Sequence, residues 1–136
     1  SPIPQQQIHP IPTELGIEAA RASYLQTLAP LGAFDLVLLG LGEDGHTASL
    51  FPGHDFGTAP DASDVLMVND APKPPPERIS LSANRLSKAH VVLFLVTGAG
   101  KREAVKRWMS GEAIPAAAIQ CPNGADVLLD RAAWPD

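Results

Sequence analysis

Two short apolar runs, each closed by a glycine, constrain this chain more than any other feature. The first is Phe34-Asp35-Leu36-Val37-Leu38-Leu39 before Gly40; the second is His90-Val91-Val92-Leu93-Phe94-Leu95-Val96-Thr97 before Gly98. Successive side chains of a strand point to opposite faces, so runs apolar at both odd and even positions suit strands of a parallel sheet covered by helices on both sides. Val65-Leu66-Met67-Val68 predicts a third strand and Ala125-Asp126-Val127-Leu128-Leu129 a fourth. Helical spacing alternates with these runs. Ile17, Ala20, Tyr24 and Leu28 predict an amphipathic helix over 14–29, with Thr13 as candidate cap and Glu14 and Glu18 near its positive end. Ala104, Val105, Trp108 and Met109 share one face of a second helix over 101–110. Strand and helix in alternation predict an α/β fold, a mostly parallel sheet flanked by helices in a Rossmann-like layered domain. At roughly 100–200 residues per domain, a chain of 136 forms a single domain, 1–136.

Charge and composition narrow the partners. Lys and Arg number 10 against 15 Asp and Glu, a formal net charge of −5, and no block of about five like charges occurs. Such a surface has no broad attraction for nucleic acid or acidic lipid, so any anionic ligand must be held by local groups. No apolar run approaches the roughly 18 residues of a membrane span, and Ser1–Gln7 lacks the basic start and apolar core of a signal peptide. The single cysteine, Cys121, excludes an internal disulfide framework and agrees with a cytoplasmic location. A monomer is the expected state.

In open α/β sheets, ligands bind beyond the carboxyl ends of strands, where glycine turns let backbone amides approach them. The first such turn, Gly40-Leu41-Gly42-Glu43-Asp44-Gly45, matches G-x-G-x-x-G. A dinucleotide site also needs a full helix after the turn and an acidic residue at a strand end about 20 positions on. Pro52 stops any helix early, and Asp61 and Asp64 lie in a Pro/Gly/Asp loop, so no nucleotide cofactor is expected. Asp44-Gly45-His46 is the stronger signal. An imidazole with an ordinary pKa of about 6.5 accepts a proton near neutral pH, and a neighbouring carboxylate fixes its tautomer. His46 is therefore a candidate general base and Asp44 its partner, against the alternative of a loop histidine bonded for structure. A metal site would recruit Asp44, His46, His54 and Asp55, but their spacing fits no compact ligand motif, and no metal is expected. His9 and His90 read as structural, His90 because it opens a buried strand.

The second turn, Thr97-Gly98-Ala99-Gly100-Lys101, is no P-loop, since Arg102 stands where the hydroxyl residue belongs. It still offers helix N-terminal amides and the Lys101 ammonium to a phosphate, or is simply a tight strand-to-helix turn. Between the two turns runs Asp70-Ala71-Pro72-Lys73-Pro74-Pro75-Pro76-Glu77-Arg78. A proline-rich loop is stiff, so Lys73 on it loses little entropy on meeting an anion. Alternatively the loop is a protein-recognition segment or rigid linker. Arg78 suits either a ligand contact or an internal carboxylate.

These residues together resemble the 6-phosphogluconolactonase family, at Phe34–Pro52 (FDLVLLGLGEDGHTASLFP), at Ala71–Leu81 (APKPPPERISL) and at Val91–Lys106 (VVLFLVTGAGKREAVK). The resemblance implies a fold shared with glucosamine-6-phosphate deaminases and ribose-5-phosphate isomerases. It also implies hydrolysis of 6-phospho-D-glucono-1,5-lactone, a phosphosugar lactone of the oxidative pentose phosphate pathway, without a cofactor. Under it, His46 and Asp44 are the catalytic pair, and Gly42, Gly45, Lys73, Arg78 and Lys101 bind substrate, with backbone amides of the first turn as candidate oxyanion donors. The family carries an additional N-terminal region with a glycine-rich phosphate loop, which nothing here matches, so the 136 residues resemble its C-terminal part and are expected to form an incomplete site. The similar deaminases place an acidic residue five positions after the histidine; here that position is Phe51, which cannot move protons and so favours hydrolysis. A sugar-phosphate sensor of the same fold, or a sugar-phosphate isomerase or deaminase, is the alternative function.

Overall fold

The computed structural model describes residues 2–136. Helix α1 (Ile17–Leu28) leads into β1 (Phe34–Leu39), followed by β2 (Val65–Val68), β3 (Arg78–Leu81), α2 (Ala83–Ser87), β4 (Ala89–Val96), α3 (Arg102–Met109) and β5 (Ala125–Leu129). The main sheet is parallel, in the order β1-β4-β5. Leu36 pairs with Val91 and Leu39 with Phe94 on one side of β4; Val92 pairs with Ala125 and Val96 with Leu129 on the other. Because β1 and β4 are parallel neighbours, the two glycine turns that follow them lie at the same edge of the sheet.

Val65–Val68 does not join this sheet. It pairs antiparallel with β3, Val65 opposite Leu81 and Val68 opposite Arg78, in a separate two-stranded sheet. The connection from Asn69 to Glu77 is shorter than the dozen or so residues a parallel crossover needs, so only a hairpin-like return is open to it. Helix α1 packs on this pair through Ala20 and Leu28, which form a small core with Val65 and Ile79. The helix also starts later than its periodicity suggests. Thr13–Leu15 is a 3-10 turn, Gly16 at φ 87° breaks the chain direction, and Gly16 rather than Thr13 is the N-cap, without a side-chain cap bond.

The larger core lies on one face of the main sheet, where Val37, Val92, Phe94 and Val96 meet Leu41 and Leu50 from the first turn region, Ala83 and Leu86 of α2 and Ala104 and Val105 of α3. Ser82 caps α2 by accepting a hydrogen bond from the Arg85 N–H. Trp108 sets its ring edge-on to Phe94 at 4.8 Å. Met109, expected on the same packed face, is 61% exposed. It ends α3, which begins only at Arg102 after a 3-10 turn over Ala99–Lys101. The opposite face of the sheet carries Leu36, Leu38, Val91, Leu95 and Leu128, all between 43% and 58% exposed. Strands apolar on both faces are thus covered on one. His90 is likewise exposed rather than buried at its strand's start, its carbonyl taking a bond from Asn123. No described helix is long and apolar enough to cross a membrane.

Candidate active site

The turn after β1 is shaped by its own hydrogen bonds. The Gly42 N–H donates to the His46 carbonyl at 2.8 Å, the Gly45 N–H to the Gly42 carbonyl at 3.0 Å, and the buried Thr47 hydroxyl to the Gly40 carbonyl at 2.8 Å. These bonds bend the chain back so that the imidazole of His46 lies over Gly42, where a Cβ would fall 1.9 Å from Nδ1. Gly45 stands at φ 87°, and a Cβ there would meet Ile114 at 2.7 Å. Only glycine fits either place. These two glycines therefore serve the site by shape. Their N–H groups are spent inside the turn, which corrects the expectation that the turn's amides as a group face a ligand. No described hydrogen bond engages the Glu43 N–H.

Asp44 grips His46 twice through Oδ1, accepting from its backbone N–H at 3.0 Å and lying 2.6 Å from its ring Nδ1. Burial pushes the Asp44 carboxyl up, but the His46 backbone and ring hydrogen bonds and the imidazolium charge together outweigh it and hold the carboxyl below the ordinary aspartate value. A carboxylate only accepts, so Nδ1 carries the proton and the Nε2 lone pair is left available. The imidazole side chain is 23% exposed, which lets a small molecule reach it.

Around this pair the structure adds an aromatic contact that the sequence pattern did not supply. Phe51, 1% exposed, lies with its ring centroid 4.8 Å from that of His46 at an interplanar angle of 36°. His54 meets the same ring edge-on at 5.9 Å, and the Arg78 guanidinium carbon sits 5.2 Å from its centroid. Among the described residues Arg78 pairs with no carboxylate. It donates through Nε to the Pro75 carbonyl and through Nη2 to the carbonyls of Lys73 and Pro74, and so holds the proline loop together. Lys73 itself is exposed. His54 pairs with Asp70 at 3.5 Å and borders a hollow of about 570 Å³ that Arg21, Asp55 and Ser63 also line. Asp44–His46 and His54–Asp70 remain separate pairs. Among the described residues no three His, Cys, Asp or Glu side chains are grouped to hold a metal ion.

The turn after β4 is occupied differently. Asp130 accepts from the Gly98 N–H with both carboxylate oxygens, at 3.0 and 3.1 Å, and from the Ala133 N–H at 2.9 Å. Glu43 reaches the same turn, its Oε1 lying 2.5 Å from where a Gly100 Cβ would be. Lys101 is half-buried at its end.

Fold and site together define a layered α/β protein that presents a carboxylate-oriented imidazole at the carboxyl edge of its parallel sheet. The chain belongs to the family of glucosamine-6-phosphate isomerases and 6-phosphogluconolactonases, whose model matches residues 1–129. It is 40% identical over 141 residues to the rat 6-phosphogluconolactonase, covering 97% of this chain and 54% of that protein. The human 6-phosphogluconolactonase is 38% identical over 142 residues, with 97% and 55% covered. The crystal structure of 6-phosphogluconolactonase from Thermotoga maritima superposes with a TM-score of 0.83 at 28% identity, over 93% of this chain and 57% of that one. The chain thus spans about half the length of the curated relatives it matches, their C-terminal part.

Proposed function

We propose that this chain carries the catalytic base of a hydrolase acting on 6-phospho-D-glucono-1,5-lactone. The observation that carries the proposal is the 2.6 Å contact between Asp44 Oδ1 and His46 Nδ1, which leaves Nε2 as the acceptor. A water oxygen attacks C1 of the lactone while its proton passes to Nε2. The bond from C1 to the ring oxygen then breaks, and Nε2 returns the proton to that oxygen, giving 6-phospho-D-gluconate. General-base help of this kind is worth about 10²–10⁴ in rate. The Glu43 N–H, with those of Leu41 and Asp44, is among the turn donors available to the developing oxyanion. Lys73 grips the phosphate, Arg78 supports it with the N–H groups its loop bonds do not use, and Lys101 contributes least. The buried ring of Phe51, where the deaminase pattern has an acid, favours hydrolysis over ring-opening proton transfers. The reaction belongs in the cytoplasm, on a monomer.

Its cations are few, so efficient hydrolysis draws on groups outside these 136 residues. The test compares the 136-residue chain with a chimera in which it replaces the matching part of the rat relative, each assayed on the lactone with spontaneous hydrolysis subtracted. The chimera is expected to turn substrate over and the chain alone to do so far more slowly. A chimera that binds the product 6-phosphogluconate yet leaves the lactone intact would overturn the proposal in favour of a sensor.

A further inference from the structure

We propose that Phe51 is the positioning residue for His46, and that through it the imidazole is tied to the loop bearing Lys73. The inference rests on His46 being the base. The hydrogen bond to Asp44 holds Nδ1, but χ1 and χ2 of His46 can still rock together about that contact, which would shift Nε2 relative to a bound ester. Gly42 lies close against the ring's Nδ1–Cε1 side, and the Phe51 ring, 4.8 Å off and tilted by 36°, supplies the side-chain contact that limits the rocking. Phe51 cannot itself swing, because it is fully buried.

What holds Phe51 comes from the proline loop by two routes. Asp70, at the start of the loop, pairs with His54, whose ring meets the Phe51 edge at 75°. The carbonyls of Lys73, Pro74 and Pro75, in its middle, hold the Arg78 guanidinium that lies against the same phenyl ring, a contact in which the cation is drawn to the aromatic quadrupole. The loop is closed at its base by the Ala71 N–H donating to the Pro76 carbonyl at 3.0 Å. Both routes meet on one ring, and that ring lies beside the imidazole. The segment offering a cation to the phosphate and the imidazole that takes the proton of the attacking water are thus registered against each other through Phe51.

The test is a double-mutant cycle in the chimera, with heteronuclear NMR of the histidine rings in the 136-residue chain. Phe51→Leu, which keeps apolar bulk, is expected to lower kcat about 10- to 100-fold with KM changed less than about twofold, since a small misplacement of a reacting group costs this much. Phe51→Tyr, which keeps the ring, is expected to retain the rate. In the His46→Ala background the Leu substitution should have no further effect on kcat, the mark of action through His46. By NMR, the His46 ring protons lose their aromatic ring-current shift and broaden in Phe51→Leu. In His54→Leu, which loosens only one route, they broaden less and the fold is preserved. If His46→Ala abolishes turnover while Phe51→Leu retains wild-type kcat, or if the two effects multiply, the positioning role is overturned and the base stands. If His46→Ala leaves kcat unchanged, the base itself falls.

Discussion

The two glycine turns at the carboxyl edge of the sheet follow neighbouring parallel strands, yet they are built for different ends. After β1 the backbone folds on itself and is left wrapped around an imidazole, with Asp44 supplying the carboxylate bonded to it. After β4 a carboxylate from the residue directly following β5, Asp130, already sits on the Gly98 amide, and Glu43 lies against Gly100. An anion approaching the second turn would meet two negative side chains. Glycine at a strand end provides room; the groups that arrive from elsewhere in the chain decide what the room is for.

The contrast is tested most severely at His46. In the chimera, His46→Ala is expected to lower kcat by about 10²–10⁴ with little change in KM, read from steady-state kinetics. Gly42→Ala should come next, with kcat down at least about 10-fold, because its methyl would occupy the place of Nδ1 while the rest of the fold is untouched. Asp44→Asn leaves shape alone and removes the charge, so a loss in kcat of about 10-fold is expected alongside a change in acid stability. The sign follows from the lowered Asp44 pKa: the carboxylate stabilises the fold fully above the ordinary aspartate value of about 3.9, and that contribution is lost as pH falls through the lower folded value. Urea melts below pH 4 should therefore fall less steeply with acid in the Asn variant. At the second turn, Asp130→Ala takes the carboxylate from the Gly98 N–H, while the Ala133 N–H keeps its bond to the residue-130 backbone carbonyl, and should cost about 1 kcal/mol in urea melts with kcat intact. Lys101→Ala should change KM by less than about twofold.

Sequence pattern made the parallel sheet legible because β1, β4 and β5 are runs with no competing periodicity. It found β2 as a strand but not its partner, since an apolar tetrad says nothing about which edge it pairs with; the short link to β3 decided that. The Asp44–His46 pair was legible because spacing of two places a carboxylate within reach of an imidazole in a tight turn. Phe51 was seen only as the absence of an acid, because an aromatic residue beside a histidine has no signature distinct from core. The role of Arg78 was hidden for a related reason: a cation beside a proline loop suggests a ligand grip, whereas in the fold the loop's own carbonyls claim most of its donors. The spent amides of Gly42 and Gly45 were equally invisible, since composition does not reveal which N–H closes a turn.

The leucines and valine standing in solvent on β1, β4 and β5 carry a consequence at the bench. Dyes such as ANS light up on accessible apolar surface, and their fluorescence is ordinarily taken to mean that packing has melted. This chain should bind such a dye and linger on a phenyl column while its near-ultraviolet circular dichroism still reports a fixed environment for Trp108 against Phe94. Here a glowing sample would be a folded one.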